Sequence, residues 1–258
     1  PSLWQLVEFT RRPLPWLEDC ARRHGDPFTV RLPGYAPFVF VAAPSPPRPL
    51  ADEPAPPWLE RASMDLLRLG RRTAYEVAAN WKLLVQNFQE SHHFPTVHPS
   101  LEQRTPASHD FGGRFLGGTM EIAAEVETVS DSGALSGRPW VAAEPDRRIV
   151  GDAHLFPGWL TSLQPDYFLS YRLTPLTADR TRVVADIYVH SAAPVAGDAA
   201  LYAFWDRTNG EDRAICERQQ RGVSAPSYRP GPYAPSEDGM RAFDRLVAAA
   251  YLDAGGER

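Results

Sequence analysis

Two hydrophobic periodicities alternate along the chain. Over residues 15–24 apolar side chains recur at helical spacing and stop at Gly25, after which residues 28–32 and 38–42 alternate as two short strands. The pattern then disappears: residues 43–57, APSPPRPLADEPAPP, are dominated by proline, which removes backbone donors and fixes φ, so this stretch is expected to run extended. Residues 1–43 therefore read as a helix–strand–strand appendage, 44–58 as a proline-rich linker and 59–258 as the main domain.

Within the main domain, residues 73–78 read as a strand, and Asn80 is a good N-cap for a helix starting at Trp81, with Leu83, Leu84, Val85 and Phe88 supplying its apolar side. Three stretches then favour strands, at 119–129, 159–176 and 180–190, the last two joined by a hairpin turn around Thr177-Ala178-Asp179. Two helical patterns close the chain, from 199 to about 221 and from 236 to about 252, with SAPSYRPGPYAP between them. Strands grouped between helices predict an α+β fold with an antiparallel sheet rather than a doubly wound nucleotide fold.

Charge and composition narrow the function. A formal net charge of -5 gives no basic footprint for nucleic acid or an anionic membrane, so a small-molecule partner is expected. No apolar run approaches the roughly 20 residues that span a bilayer, and no signal-peptide pattern opens the chain, which reads as cytoplasmic. Cys20 and Cys216 are the only cysteines, too few for a disulfide framework or a four-thiolate site within these residues.

The densest group of metal-capable side chains is Glu90-Ser-His-His-Phe-Pro-Thr-Val-His98. Glu90 and His93, three apart, would share a helical face, whereas His93 and His98 would sit about 140° apart on a continuous helix. Pro95 disfavours a helical Phe94, so the chain is expected to bend there and bring His98 back towards His93. Two imidazoles suit zinc, copper, iron or nickel, and one added carboxylate would make the facial triad of non-haem iron oxygenases. From spacing alone, ordinary helix-end histidines and zinc hydrolysis both stay open.

The stretch Asn80-Trp-Lys-Leu-Leu-Val-Gln-Asn-Phe-Gln-Glu-Ser-His-His-Phe-Pro-Thr-Val-His98 resembles the iron-ligand helix of Rieske-type ring-hydroxylating oxygenase α subunits, whose pattern is NWK followed by E/D-x2-H-x4-H. The likeness continues through the aromatic-rich strands to Trp205-Asp-Arg-Thr-Asn-Gly-Glu-Asp-Arg-Ala-Ile-Cys216. The resemblance implies a curved antiparallel sheet wrapped on a long C-terminal helix, in a helix-grip-like catalytic domain. It also implies mononuclear Fe(II) held by His93, His98 and Asp212, with Glu211 and Asp206 as neighbouring competitors for the third position. Glu90 would bridge electrons from a neighbouring subunit's cluster and steady His93, with Asn87 and His92 as possible support. This sequence has Gln86 where the family usually has Glu, and His92 where it usually has Tyr, which leaves some ambiguity between His92 and His93 as the ligand.

A [2Fe–2S] Rieske cluster needs C-x-H and C-x2-H motifs, and neither Cys20 nor Cys216 stands in one, so this chain cannot bind the cluster and is not expected to be a complete α subunit. The N-terminal residues 4–42 weakly resemble the start of haem-thiolate cytochrome monooxygenases, without their haem-ligating region, and no haem is expected. The resemblance implies O2, a small organic substrate, an external Rieske or ferredoxin/reductase donor and a homo-oligomer, a trimer by family analogy. The wording SYRPGPYAPSEDGMRAFDRL is closest to members acting on quaternary amines, for which Trp159, Tyr167, Phe168, Tyr171, Phe204 and Trp205 are candidate cage residues. Hydroxylation or demethylation of an aromatic or quaternary amine is the expected reaction. A catalytically silent remnant or oligomer partner is the alternative.

Overall fold

The computed structural model describes residues 56–255, except 117–118, 195–197, 235–236 and short stretches within 126–136. The expected N-terminal helix, its two strands and residues 44–55 of the linker lie outside the described residues. Pro57–Arg61 forms a short helix, α1, so the last two residues read as linker are helical; Pro57 sits at its first position, where a missing N–H costs nothing.

The architecture is α+β, built on one antiparallel sheet. Its strands are β1 (Leu67–Val77), β2 (Asp110–Leu116), β3 (Thr119–Glu125), β4 (Ile149–Leu155), β5 (Trp159–Leu163), β6 (Tyr167–Thr177) and β7 (Arg180–His190), in the spatial order β1-β7-β6-β5-β4-β3-β2. Between β1 and β2 lie α2 (Trp81–Phe88) and the one-turn helices α3 (Phe94–Val97) and α4 (Pro99–Glu102); α5 (Ala199–Val223) and α6 (Asp238–Gly255) follow the sheet. The β6–β7 hairpin turns at Ala178-Asp179, with Thr177 opposite Arg180, as the sequence indicates. The stretch 159–176 is two strands rather than one, because Gln164-Pro165-Asp166 interrupts it: Pro165 has no N–H for a ladder. β2, β4 and the first half of β1 were not legible in the sequence.

Period-two alternation divides the sheet into two faces. On one, Leu169, Tyr171, Val183, Ile187 and Val189 pack with Leu201, Phe204, Trp205 and Cys216 of α5 and Phe243 of α6. On the other, Leu163, Phe168 and Ala153 pack with Trp58, Leu59, Met64 and Val141. Gly151 is required on that second face, since a Cβ there would stand 2.5 Å from the Trp58 ring. Gly70 marks the β1 bulge and lets Tyr202 of α5 approach, its hydroxyl 2.8 Å from where a Cβ would be. The start of α5 is fixed by Asp198, which accepts from Leu201 N–H at 2.9 Å and pairs with the buried Arg138, itself bonded to the fully buried Asp166. Among the described residues no helix is long and apolar enough to cross a membrane.

Candidate metal centre and cavity

The sequence motif around residue 80 places the site. Asn80 caps α2, its side chain accepting from Lys82 N–H at 3.0 Å, while its own backbone N–H donates to Gln220 on α5 at 2.8 Å. Trp81 stacks edge-on against Phe243 of α6, with ring centroids 5.7 Å apart, and Gln86 donates to Asp244 of α6 at 2.9 Å. A glutamate at 86 would instead oppose the Asp244 carboxylate. α2 is thus clamped between α5 and α6, with Leu84, Asn87 and Phe88 turned to a cavity against the sheet.

The chain leaves α2 at Gln89, not at Pro95. Gln89 donates to His154 Nδ1 on β4 at 2.9 Å, and His154 Nε2 donates to the Pro157 carbonyl at 3.0 Å. Burial holds the His154 imidazole neutral, at about 4, against the opposing hydrogen bond to Pro157. Phe94 is helical, contrary to the expected bend at that residue. Pro95 falls in the first turn of α3, where it breaks no intrahelical bond. Nor do Glu90 and His93 share a helix; their contact is a turn in which Glu90 accepts from the His93 backbone N–H at 3.2 Å and pairs with His93 Nδ1.

His93, His98 and Asp212 converge, with one potential ligand atom from each lying within 4.8 Å of the others. His98 Nε2 is 2.9 Å and His93 Nε2 3.6 Å from Asp212 Oδ1. Each imidazole has its other nitrogen on a second carboxylate: His93 Nδ1 on Glu90, and His98 Nδ1 on Glu211 at 2.7 Å. This is how a protein fixes the tautomer and ring orientation of a metal-binding histidine, leaving Nε2 lone pairs for the metal. Two nitrogens and one carboxylate oxygen at these separations fit a facial donor set, since ligands at right angles with bonds of about 2.1 Å stand about 3 Å apart. Asn87 donates to Asp212 Oδ1 at 2.6 Å and steadies it.

The electrostatics of the cluster are those of a cation site. Burial disfavours a charged His93, yet hydrogen bonds to Asp212 and Glu90 raise it to about 9; burial likewise opposes the Asp212 carboxylate, yet hydrogen bonds from His93 and His98 hold it at about 2. Positive charge is favoured between these side chains, and a divalent ion can take the place of protons there.

The geometry places each of the other sequence candidates. His92 is exposed and outside the cluster, so the geometry brings in His93. Asp206 pairs with Arg71 at 2.6 Å, away from the histidines, and Glu211 serves His98 from behind. Of the six aromatic residues proposed for a cage, Tyr171 and Trp205 line the cavity. Trp159 does not: it alternates to the opposite face of β5, packs near the Trp58 cluster and donates to Ser170 at 2.8 Å. Phe168 belongs to that face as well. Tyr167 and Phe204 are fully buried in the core on the cavity side without forming its wall, the Tyr167 hydroxyl accepting from Trp205 Nε1 at 3.0 Å. Tyr75, Phe88 and Phe94, the other aromatic residues of the lining, are not among the cage candidates read from the sequence. The facing of Tyr75 could have been read from strand alternation, had the strand's full length been recognised. The cavity has a volume of about 120 Å³ and runs from the His93/His98/Asp212 group along β4, β5 and β6.

The family model for the ring-hydroxylating α subunit (catalytic domain) matches residues 64–253. The glycine betaine monooxygenase oxygenase subunit of Pseudomonas aeruginosa is 27% identical over 218 residues, covering 68% of this chain and 49% of its own length. The chloroplastic choline monooxygenase of Beta vulgaris is 24% identical over 200 residues, covering 72% and 42%. Among solved structures, a quaternary ammonium Rieske monooxygenase superposes with a TM-score of 0.61 at 20% identity, covering 72% of this chain and 51% of that one. Dicamba monooxygenase bound to dicamba superposes with a TM-score of 0.53 at 15% identity, covering 74% and 60%; these two likenesses establish the shared fold. The chain spans about half the length of the curated relatives it matches. Helix-clamped cavity, antiparallel sheet and matched residues together place this chain in the ring-hydroxylating α-subunit family, as its catalytic domain.

Proposed function

We propose that this domain is the oxygenating half of a Rieske-type monooxygenase, holding Fe(II) on His93, His98 and Asp212 and acting on a small quaternary amine. The observation that carries the reading is the pair of histidines backed by Glu90 and Glu211, aimed at Asp212 on the wall of an aromatic-lined cavity. Iron held there would supply O2 activation, and the monooxygenation would balance with two electrons and two protons from the donor, one oxygen atom going to the substrate and the other to water.

The chain's own residues set the conditions. Glu90 and Glu211 keep a proton on each Nδ1, so that Nε2 remains a neutral donor. Asn87 restrains Asp212, and Tyr171 donates to Asn209, three residues before Asp212 on α5, at 3.1 Å, which holds that face of the helix to the sheet. Tyr75, Phe88, Tyr171 and Trp205 give the cavity an aromatic lining that suits an alkylammonium, which gains from cation–π contact where an anion would not. Glu90, its side chain 18% exposed, lies near enough to the surface to meet the cluster-bearing domain of a neighbouring subunit, the route by which electrons would arrive. Relatives whose names carry glycine betaine and choline monooxygenase support the substrate class.

The test is O2 consumption by the Fe(II)-loaded chain supplied with a reduced [2Fe–2S] donor and a panel of quaternary amines. One oxygenated product per O2, absent in Asp212→Ala, is the expected result. Iron-loaded chain that leaves the donor's electrons untouched with every donor and amine would favour a silent oligomer partner.

A further inference from the structure

Glu90 lies between the end of α2 and the turn that carries His93, outside any helix or strand, so no backbone ladder fixes its direction. The residue before it is fixed twice. The Gln89 backbone N–H closes α2 on the carbonyls of Val85 and Gln86, and its side chain reaches β4, where it meets His154 Nδ1 at 2.9 Å. Chemistry sets the roles in that contact. The Pro157 carbonyl, 3.0 Å from His154 Nε2, can only accept, so Nε2 carries the proton of the neutral ring and Nδ1 keeps a lone pair. Gln89 must therefore turn its amide N–H, not its oxygen, towards the imidazole.

Stability alone does not account for this pair. Gln89 is 6% and His154 1% exposed, and the Gln89 Oε1 left over is buried with no hydrogen-bond partner among the described residues. A half-satisfied buried amide is destabilising, and two apolar side chains of similar volume would hold α2 to β4 at least as well. What the polar pair adds is direction: the bond fixes the rotation of Gln89, and with it the peptide that leads to Glu90. His154 is itself held in rotation by Pro157 and by the Phe243 ring of α6, edge-on with centroids 5.3 Å apart. We infer that Gln89 and His154 are positioning residues that aim the Glu90 carboxylate at His93 Nδ1, so that β4 and α6 set the geometry on the Glu90 side of the metal centre. Its consequence for electron delivery rests on the function proposed above.

The experiment compares the native chain with Gln89→Met, His154→Gln and His154→Asn, each loaded with Co(II). The paramagnetic ion shifts the Nδ1 protons of His93 and His98 clear of the main proton NMR spectrum, so the exchange of each with water is read separately. Asn at 154 sets its amide oxygen near the place of Nδ1 and still accepts from Gln89, whereas Gln sets its amide near the place of Nε2, towards Pro157. The His93 proton is expected to exchange roughly tenfold faster in Gln89→Met and His154→Gln, the loss of about one hydrogen bond's stabilisation. In His154→Asn it should stay near the native rate, the His98 proton should be unmoved in all three, and Gln89→Met should melt close to the native temperature. An unchanged His93 proton in Gln89→Met and His154→Gln, or equal acceleration at His98, would overturn the inference. Reoxidation of a reduced [2Fe–2S] protein separates it from the proposed function: the same two variants should slow that step about tenfold, as small misplacements of a working group do. A native chain that takes no electrons from any donor, with the His93 proton still accelerated in those variants, would remove the oxygenase reading and uphold the positioning role.

Discussion

The two histidines of the centre are held by carboxylates in opposite ways. His93 takes Glu90 from three residues earlier, within one turn, and both side chains stay near the surface at 12% and 18% exposure. His98 is 1% exposed and takes Glu211 from a helix 113 residues away. The first pair costs the chain little to assemble; the second, whose Glu211 is 29% exposed, exists only when α5 has docked against the segment carrying α3 and α4. On the proposed function the first pair is the one that would meet a neighbouring subunit, while the second joins the candidate metal centre to the fold.

Breaking the pairs should separate these roles. The largest effect is expected from Glu90→Gln in turnover: electron delivery from a reduced [2Fe–2S] donor falls about a hundredfold or more, and the defect persists at iron concentrations that offset the loss of a His93-orienting partner. Stopped-flow reoxidation of the donor beside metal analysis would check it, and a defect that disappears once Glu90→Gln is saturated with iron would erase the distinction between the pairs. Glu211→Gln is expected to act on the metal, lowering Fe(II) affinity about 10- to 100-fold, as loss of a ligand-orienting partner commonly does; competition with a chelator reads that directly.

Stability offers a third contrast. His98→Ala should destabilise the metal-free domain by about 2–4 kcal/mol, since it opens a buried site and strands Glu211 and Asp212, whereas His93→Ala should cost about 1 kcal/mol or less. Denaturant titration of both variants would measure the difference, and equal losses would contradict the asymmetry.

A smaller effect concerns the anchor beneath Glu90. His154 is held at about 4 when folded against an ordinary 6.5, so between those values the unfolded chain binds more protons and stability falls as pH drops. The full window is on the order of 3 kcal/mol. Denaturation at pH 7 and pH 4.5 should show a weaker pH dependence in His154→Gln than in the native chain; an identical dependence would mean that His154 is not held neutral by the fold.

What could be read from the sequence follows the same local-versus-distant division. The start of α2 was legible because Asn80 caps it within two residues, and β7 because Arg180–His190 alternates cleanly next to a tight turn. β4 was hidden: Gly151, Asp152 and His154 interrupt the apolar alternation, one making room for Trp58 and the others facing the cavity side. The convergence of His93, His98 and Asp212 was anticipated through resemblance, but the support of His98 by Glu211 was not, since adjacent acids on a helix cannot be ranked without knowing its rotation. The aromatic candidates divide for a related reason: Tyr171 and Trp205 line the cavity, Trp159 and Phe168 fall on the other face of their strands, which only register decides, and Tyr167 and Phe204 lie on the cavity side but buried behind its wall.

The most direct test of the centre is Fe(II) binding by the anaerobically reconstituted chain, comparing the native sequence with His93→Ala, His92→Ala and Asp212→Ala. The account predicts about one iron per chain in the native protein and in His92→Ala, with iron lost in the other two. Iron retained in both His93→Ala and Asp212→Ala, or lost only in His92→Ala, would contradict it.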